Sequence, residues 1–320
     1  MSSMHGTCVV DLEQCHTEGR VAEGGFLNDY LLSVILGIIE GVTEFLPVSS
    51  TAHLRIAQAL LDISLTDGYW KMYTVVIQLG AILSLPIYFR GRLAKFLSTY
   101  PKGERGNRGL LTHPLGLTFV AFVVTAVPSF LLTRFIGKNL ESLLVMGWSL
   151  VAGGVVMWAV DALNASGEAA GPRGTTRVRT WAMEDMSLSQ AAWIGACQAV
   201  AAAFPGTSRS MATIAGGQLA GMSRAAALEF SFFLSMPTMV LATGYDLLKS
   251  VVGGGDNPIG VSEIDPRGWV VLAIGLVVSF LVAYASVAWF MAYVRRRGFT
   301  PFAMYRIVFG IAVLWWASRM

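Results

Sequence analysis

Gly-Ile-Ile-Glu-Gly-Val-Thr-Glu-Phe-Leu-Pro-Val-Ser-Ser-Thr-Ala-His-Leu, running from Gly37 to Leu54, decides how the rest of the chain is read. It begins as the end of an apolar helix, Leu31 to Ile39. Glu40 and Glu44 follow one helical turn apart, so both carboxylates lie on one face. Pro47 then disfavours helix at the residue before it. Ser49, Ser50 and Thr51 are residue types that cap a new helix, and His53 falls in the first turn of that helix. Acids, hydroxyls and a histidine in so apolar a context are costly, and function is the default reason to keep them.

Working outward, the context is a membrane. The 320 residues are 54% hydrophobic and 13% charged, with mean hydropathy +0.59. Soluble domains carry about 25% charged residues. Several apolar runs reach the ~20 residues that cross a bilayer as a helix, and no strand alternation of a barrel is visible. The chain therefore reads as an all-α polytopic membrane protein. Its net charge of +3 sits in loops, which argues for topology and against nucleic-acid binding. Cys8, Cys15 and Cys197 form no metal pattern.

Residues 1–27 are polar, lack the features of a signal peptide and read as a flexible extension. Residues 28–320 read as one membrane domain. Neither 28–46 nor 50–61 spans alone, so they are expected to form a re-entrant pair around Pro47, lining a cavity. Spans are expected near 69–89, 113–136 and 140–163. After a polar loop, 187–203 and 207–220 make a second broken pair around Pro205-Gly206, followed by spans near 223–248, 268–294 and 300–317. The 90–108 segment, read as a loop, carries Arg90, Arg92, Lys95, Lys102, Arg105 and Arg108; the 164–184 loop carries Arg173, Arg177 and Arg179. With Arg295, Arg296 and Arg297 these fall on one side, while Asp256, Glu263 and Asp265 fall on the other. The positive-inside rule puts the basic loops in the cytoplasm and both termini outside.

The two halves resemble each other. Gly37, Glu40, Pro47, Ser49 and Ser50 align at constant offset with Gly195, Gln198, Pro205, Thr207 and Ser208, and Gln78–Pro86 is similar to Glu229–Pro237. Residues 28–163 and 185–320 are thus two repeats, each a broken pair plus three spans. An odd number of crossings makes the repeat inverted, with the breaks meeting near the midplane.

The second break suits an anion. Gly206 permits unusual backbone, and Thr207 or Ser208 can cap the following half-helix, whose N-terminus attracts phosphate. Arg209 adds a planar fork of donors, and Ser208, Ser210 and Thr213 add hydroxyls. The first break offers reacting groups. Glu40 and Glu44 suit a divalent cation shared with phosphate oxygens, as magnesium is usually held, or one of them orients His53 or takes a proton. His53 and Ser50 are both candidate nucleophiles, with His53 also a candidate base for Ser50. Together the breaks suit hydrolysis of a phosphoanhydride. Taken singly, Ser49, Thr51, Ser210 and Thr213 are as readily structural, because hydroxyls in membrane helices commonly bond locally. Glu229 reads as a supporting partner of the site. Inverted repeats with broken helices also belong to transporters and flippases, which is the competing class.

Residues 40–53 and 205–213 resemble the two signatures of the undecaprenyl-diphosphate phosphatases, the bacitracin-resistance family, and 229–237 and Phe302–Arg306 are also similar. The resemblance covers roughly 30–317. It implies hydrolysis of undecaprenyl diphosphate to the monophosphate, recycling the lipid carrier of cell-wall synthesis. It also implies a divalent cation (magnesium or calcium) and a multi-pass protein of the bacterial inner membrane whose site opens to the periplasm. By matching motif positions it carries over Glu40, Glu44, Ser50, His53, Ser208, Arg209 and Thr213. Ala52 departs from the family's usual glycine. A polyprenyl diphosphate, membrane lipids and a homodimer are the partners carried forward.

Overall fold

The computed structural model describes residues 28–64, 67–104, 106–136, 142–169, 171, 177–252 and 264–319. The extension 1–27 and the acidic segment around Asp256 and Glu263 lie outside them. Among the described residues there are eleven α-helices, a short 3-10 turn at Met183–Asp185 and no strand. The first half contains α1 (Asp29–Thr43), α2 (Ser50–Leu60), α3 (Gly68–Tyr88), α4 (Arg90–Thr99), α5 (Pro114–Ile136) and α6 (Leu143–Ala169). The second contains α7 (Leu188–Ala203), α8 (Arg209–Leu219), α9 (Arg224–Val252), α10 (Pro266–Arg297) and α11 (Thr300–Ala317). Six of these, α3, α5, α6, α9, α10 and α11, are long and apolar enough to cross a membrane. The chain is a polytopic helical membrane protein, and α1/α2 and α7/α8 are its broken pairs.

One element departs from expectation. Residues 90–108, read as a loop from their basic charge, begin with α4, which buries Phe96 against His113 and Phe233. A helix that tucks one ring into the core and leaves its charges outside lacks the apolar run that marks a span.

The packing crosses between the halves. Helix α1 lies on α10 and α7 on α5, so each broken pair packs against the middle span of the opposite half; α3 and α9 pack together, as do α6 and α11. The aligned glycines explain how closely the backbones approach. A Cβ on Gly37 would stand 3.1 Å from the Gly275 carbonyl oxygen, and one on Gly195 would stand 2.4 Å from that of Ala121. Small residues where helices cross are the usual means of tight packing in lipid, where apolar burial provides little drive.

Polar contacts collect at two ends. At one, Arg92 pairs with Glu184 and, at 2.6 Å, with Glu229; Arg224 pairs with Asp161 at 2.6 Å, and Asp161 also accepts from the Phe299 and Thr300 amides. Burial alone would raise the Glu184 carboxyl, but its Arg92 partner outweighs that and holds it below the usual carboxylate range. Residues Arg92, Arg108, His113 and Glu184 line a cavity of about 350 Å³ there. At the other end Arg267 pairs with Asp29 at 2.9 Å, and the Tyr69 hydroxyl donates to the Gly268 carbonyl at 2.8 Å. Glu229 therefore belongs to the α4 end and does not support the breaks, which corrects the reading given to it above.

Candidate active site

Each break forms where a proline stops one helix and a serine starts the next. Ser49 and Ser208 precede α2 and α8, both helices of 11 residues, and both serines have positive φ, 74° and 67°. Holding a non-glycine residue there costs of order 1–3 kcal/mol, so the surrounding contacts must impose it. Pro47 stands two residues before its cap and Pro205 three before its own, so the second break is one residue longer. The structural counterparts are Ser49 with Ser208 and Ser50 with Arg209, a slip of one from the constant-offset alignment. Gly206 absorbs the extra length: its φ is +87°, and a Cβ would stand 2.7 Å from the Met146 carbonyl oxygen.

The two breaks meet through Glu44. Ser50 Oγ donates to Glu44 Oε2 at 2.6 Å, and Arg209 Nη2 donates to Glu44 Oε1 at 3.1 Å. The first distance is that of a charge-assisted O–H···O⁻ bond. Glu40, one turn earlier, is fully buried, yet neither carboxylate oxygen meets a donor among the described residues. Its charged neighbours are Glu44 and Arg209. Arg209 Nη1 is likewise buried and unpaired. Removing one member of a buried ion pair usually costs about 3–5 kcal/mol, so Glu44 and Arg209 hold each other in place as well as facing the site.

The hydroxyls divide by use. Ser208 Oγ accepts from the Met211 amide at 3.4 Å and shares a bond with Ser210 Oγ at 3.0 Å. Ser210 Oγ donates to the Leu46 carbonyl at 3.0 Å, stitching the second break to the first. Thr213 is buried, bonded to Ser231 Oγ at 2.6 Å and to the carbonyls of Arg209 and Ser210. Its hydroxyl is spent inside the protein, which is the structural of the two readings given to it above. Ser49 is buried but its side chain does not cap α2, and Thr51 is exposed. The Thr207 amide donates to the Phe204 carbonyl at 3.2 Å, closing the turn.

His53 is engaged elsewhere. Nδ1 is 2.7 Å from the Ser49 carbonyl oxygen, which can only accept, so Nδ1 carries the proton. Nε2 is 2.6 Å from the Tyr305 hydroxyl, and the imidazole stacks on Phe309 with centroids 4.3 Å apart. Both ring nitrogens are occupied by other groups, and Ser50 donates to Glu44. The hydrogen bond of Ser50 thus runs to Glu44 and not to His53, the base that the spacing along the chain suggests.

Arg306 was not singled out as a site residue. It is fully buried in α11 and holds both breaks: Nη1 donates to the Pro47 carbonyl at 3.0 Å, and Nη2 to those of Gly206 at 3.1 Å, Thr207 at 2.9 Å and Ser149 at 3.2 Å. The available signal was an arginine in the middle of an 18-residue apolar span, which by default marks function.

A fully buried acid with two unbonded oxygens beside a second carboxylate must gain a cation or share a proton, and the pair Glu40 and Glu44 fits a divalent cation. Glu44 already has a donor on each oxygen. Among the described residues no group of three or more His, Cys, Asp or Glu side chains gathers as a closed metal cage. Mg²⁺ is commonly held by one or two carboxylates, with substrate phosphates completing the shell.

The model of the bacitracin resistance protein BacA family matches residues 33–312. An undecaprenyl-diphosphatase of Koribacter versatilis is 60% identical over 295 residues, covering 92% of this chain and 100% of that protein. Undecaprenyl-diphosphatases of Caldanaerobacter subterraneus subsp. tengcongensis and Thermus thermophilus are 37% identical over 280 residues and 39% identical over 277 residues. These cover 88% and 86% of this chain, and 93% and 92% of those proteins. With a family match across both breaks and a relative aligned over its full length, the chain belongs to the bacitracin resistance protein BacA family.

Proposed function

We propose that the protein hydrolyses undecaprenyl diphosphate to undecaprenyl phosphate and inorganic phosphate where the two breaks meet. The observation that carries this reading is a pair of buried, unsatisfied groups of opposite sign beside Glu44: the Glu40 carboxyl and Arg209 Nη1. A cation and a phosphate oxygen satisfy one each. The family and the names of the relatives supply the lipid.

Ser50 Oγ attacks the terminal phosphorus while Glu44 takes its proton across the 2.6 Å bond. The bond from that phosphorus to the bridging oxygen breaks, and the lipid monophosphate leaves with the electron pair. Water then attacks the phosphoserine, releasing inorganic phosphate and restoring the serine hydroxyl. Arg209 Nη1 donates to the terminal phosphoryl oxygens throughout. Glu40 would hold a magnesium or calcium ion, which would supply neutralisation of phosphate charge. Arg306 fixes the spacing of the breaks so that nucleophile and clamp face one phosphoryl group.

The repeats 28–163 and 185–320 are read as inverted. The crossed packing of α1 on α10 and α7 on α5 supports this, as does the way α1/α2 and α7/α8 open at opposite ends of the bundle. The Arg92 and Arg108 end is assigned to the cytoplasm of the inner membrane and the Asp29 end to the periplasm, with the site accessible from the latter. In a cysteine-free background, cysteines at Gly106 and Ser318 should label from opposite sides; equal labelling from outside intact cells would sink the assignment.

The reaction is tested with purified protein in detergent, undecaprenyl diphosphate and magnesium. Phosphate release needs no sealed compartment and is the expected result. Absence of release, together with movement of lipid or solute across liposomes, would replace the hydrolase with a transporter.

A further inference from the structure

The mechanism above leaves His53 without a task, although it lies in the first signature and only four histidines occur in the chain. Its surroundings are specific. Because Nδ1 donates to the Ser49 carbonyl, the lone pair of the neutral imidazole is on Nε2. The one group bonded to that nitrogen among the described residues is the Tyr305 hydroxyl, at 2.6 Å. Three rings lie nearly parallel. His53 and Phe309 are 4.3 Å apart at 16°, Tyr305 and Phe309 5.6 Å at 13°, and His53 and Tyr305 5.7 Å at 12°. Tyr305 and Phe309 are one turn apart on α11, so the helix presents them together. Their register is set next door, because Arg306 anchors α11 to the carbonyls of both breaks.

Stacking explains two aromatic rings but not the hydroxyl. Phe309 shows that a plain ring serves the stack, and a hydroxyl on an apolar membrane helix is costly unless bonded. The bond it makes reaches the reactive nitrogen of the histidine whose other nitrogen binds the carbonyl of the strained cap residue, Ser49. We propose that Tyr305 is a positioning residue for the hydrolysis: its hydroxyl donates to His53 Nε2 and so fixes the imidazole, with Nδ1–H directed at the Ser49 carbonyl of the first break. Through the Nδ1–Ser49 bond, the same contact keeps the turn that presents Ser50. This inference rests on the hydrolase reading, and its test separates the two.

Tyr305→Phe keeps the ring and removes the oxygen. The expected result is a fall in kcat of roughly ten- to a hundredfold, the scale of a positioned proton-transfer partner, with KM within about threefold because the phosphate clamp is untouched. Phe309→Leu weakens the stack and keeps the hydroxyl, and should cost less than Tyr305→Phe. Nitrogen-15 histidine spectra in detergent give a readout independent of turnover. With His53→Gln identifying the His53 signals, Tyr305→Phe should displace the Nε2 resonance while the unfolding temperature stays at the wild-type value. Unmoved His53 resonances, kcat within about twofold of wild type, a rise in kcat, or a larger loss in Phe309→Leu would each overturn the proposal. Absence of phosphate release by the wild type would instead defeat the hydrolase reading, and the spectra would still decide the Tyr305–His53 contact.

Discussion

The two breaks share a backbone and differ in chemistry. Each has a proline, a serine cap at positive φ and an 11-residue helix beyond it. Yet the arm before the first carries Glu40 and Glu44, while the arm before the second has Gln198 and no acid. Glu40 and Gln198 are repeat partners and both are buried. Gln198 donates to Thr125 at 3.2 Å and Thr238 at 3.0 Å and leaves only its Oε1 unbonded, whereas neither Glu40 oxygen meets a donor among the described residues. At the start of the outgoing helices the difference is reversed: the first presents Ser50 and the second, at the equivalent place, Arg209. The two breaks share a backbone frame. The charges are sorted between them, with Glu40, Glu44 and Ser50 on one break and Arg209 on the other, which are the acids, nucleophile and clamp of the proposed reaction. A symmetric site would bring like charges together, which the low dielectric of a membrane interior penalises.

That comparison is most exposed at Ser50 and Glu44. Ser50→Ala and Glu44→Gln should each lower turnover by at least about a thousandfold, because one removes the nucleophile and the other its base. Ser208→Ala, the change at the second cap, should cost only about 1 kcal/mol of stability and at most about tenfold in turnover. Equal losses at Ser50 and Ser208 would erase the division between the breaks.

Cation dependence separates the two acids. Glu40→Gln should shift the magnesium concentration for half-maximal activity upward by about tenfold or more, with partial recovery at high magnesium. Glu44→Gln should show little such recovery, since in the proposed reaction it also removes the base for Ser50. Recovery confined to Glu44→Gln would move the cation to Glu44.

The joint between the breaks is tested at Arg306. Arg306→Lys keeps the charge but has no planar fork to reach four carbonyls. It should lower stability in detergent by roughly 3 kcal/mol and turnover with it. Unchanged unfolding temperature and activity would show that the breaks keep their spacing without it. The smallest effect is expected at Gln198→Leu, which should cost about 1 kcal/mol and leave turnover near wild type. A catalytic defect there would give the second arm a chemical role the comparison denies it.

Much of this was legible in the chain. Pro47 and Pro205 marked both breaks, the apolar runs marked all six spans, and Glu40, Glu44, Ser50 and Arg209 stood out because polar groups in lipid demand a reason. What misled was local. The charges of 90–99 hid α4, whose single buried ring is no pattern by itself. Glu229 read as a site partner because its partner, Arg92, is distant in sequence. Ser50 and His53 read as a dyad because they are neighbours along the chain, though their side chains bond elsewhere.

The division follows from what each level can carry. Hydropathy and prolines are properties of short stretches, so the sequence by itself determined a helical membrane protein with paired breaks and polar residues gathered at them. Which acid stays unbonded, which residue accepts the serine proton, where Thr213 spends its hydroxyl and what holds the breaks together were decided only by tertiary structure. Those facts depend on contacts such as Arg209 with Glu44 and Arg306 with Pro47, between residues far apart in the chain. A hydrogen bond has a direction and a reach of about 3 Å, and no spacing along the sequence encodes either.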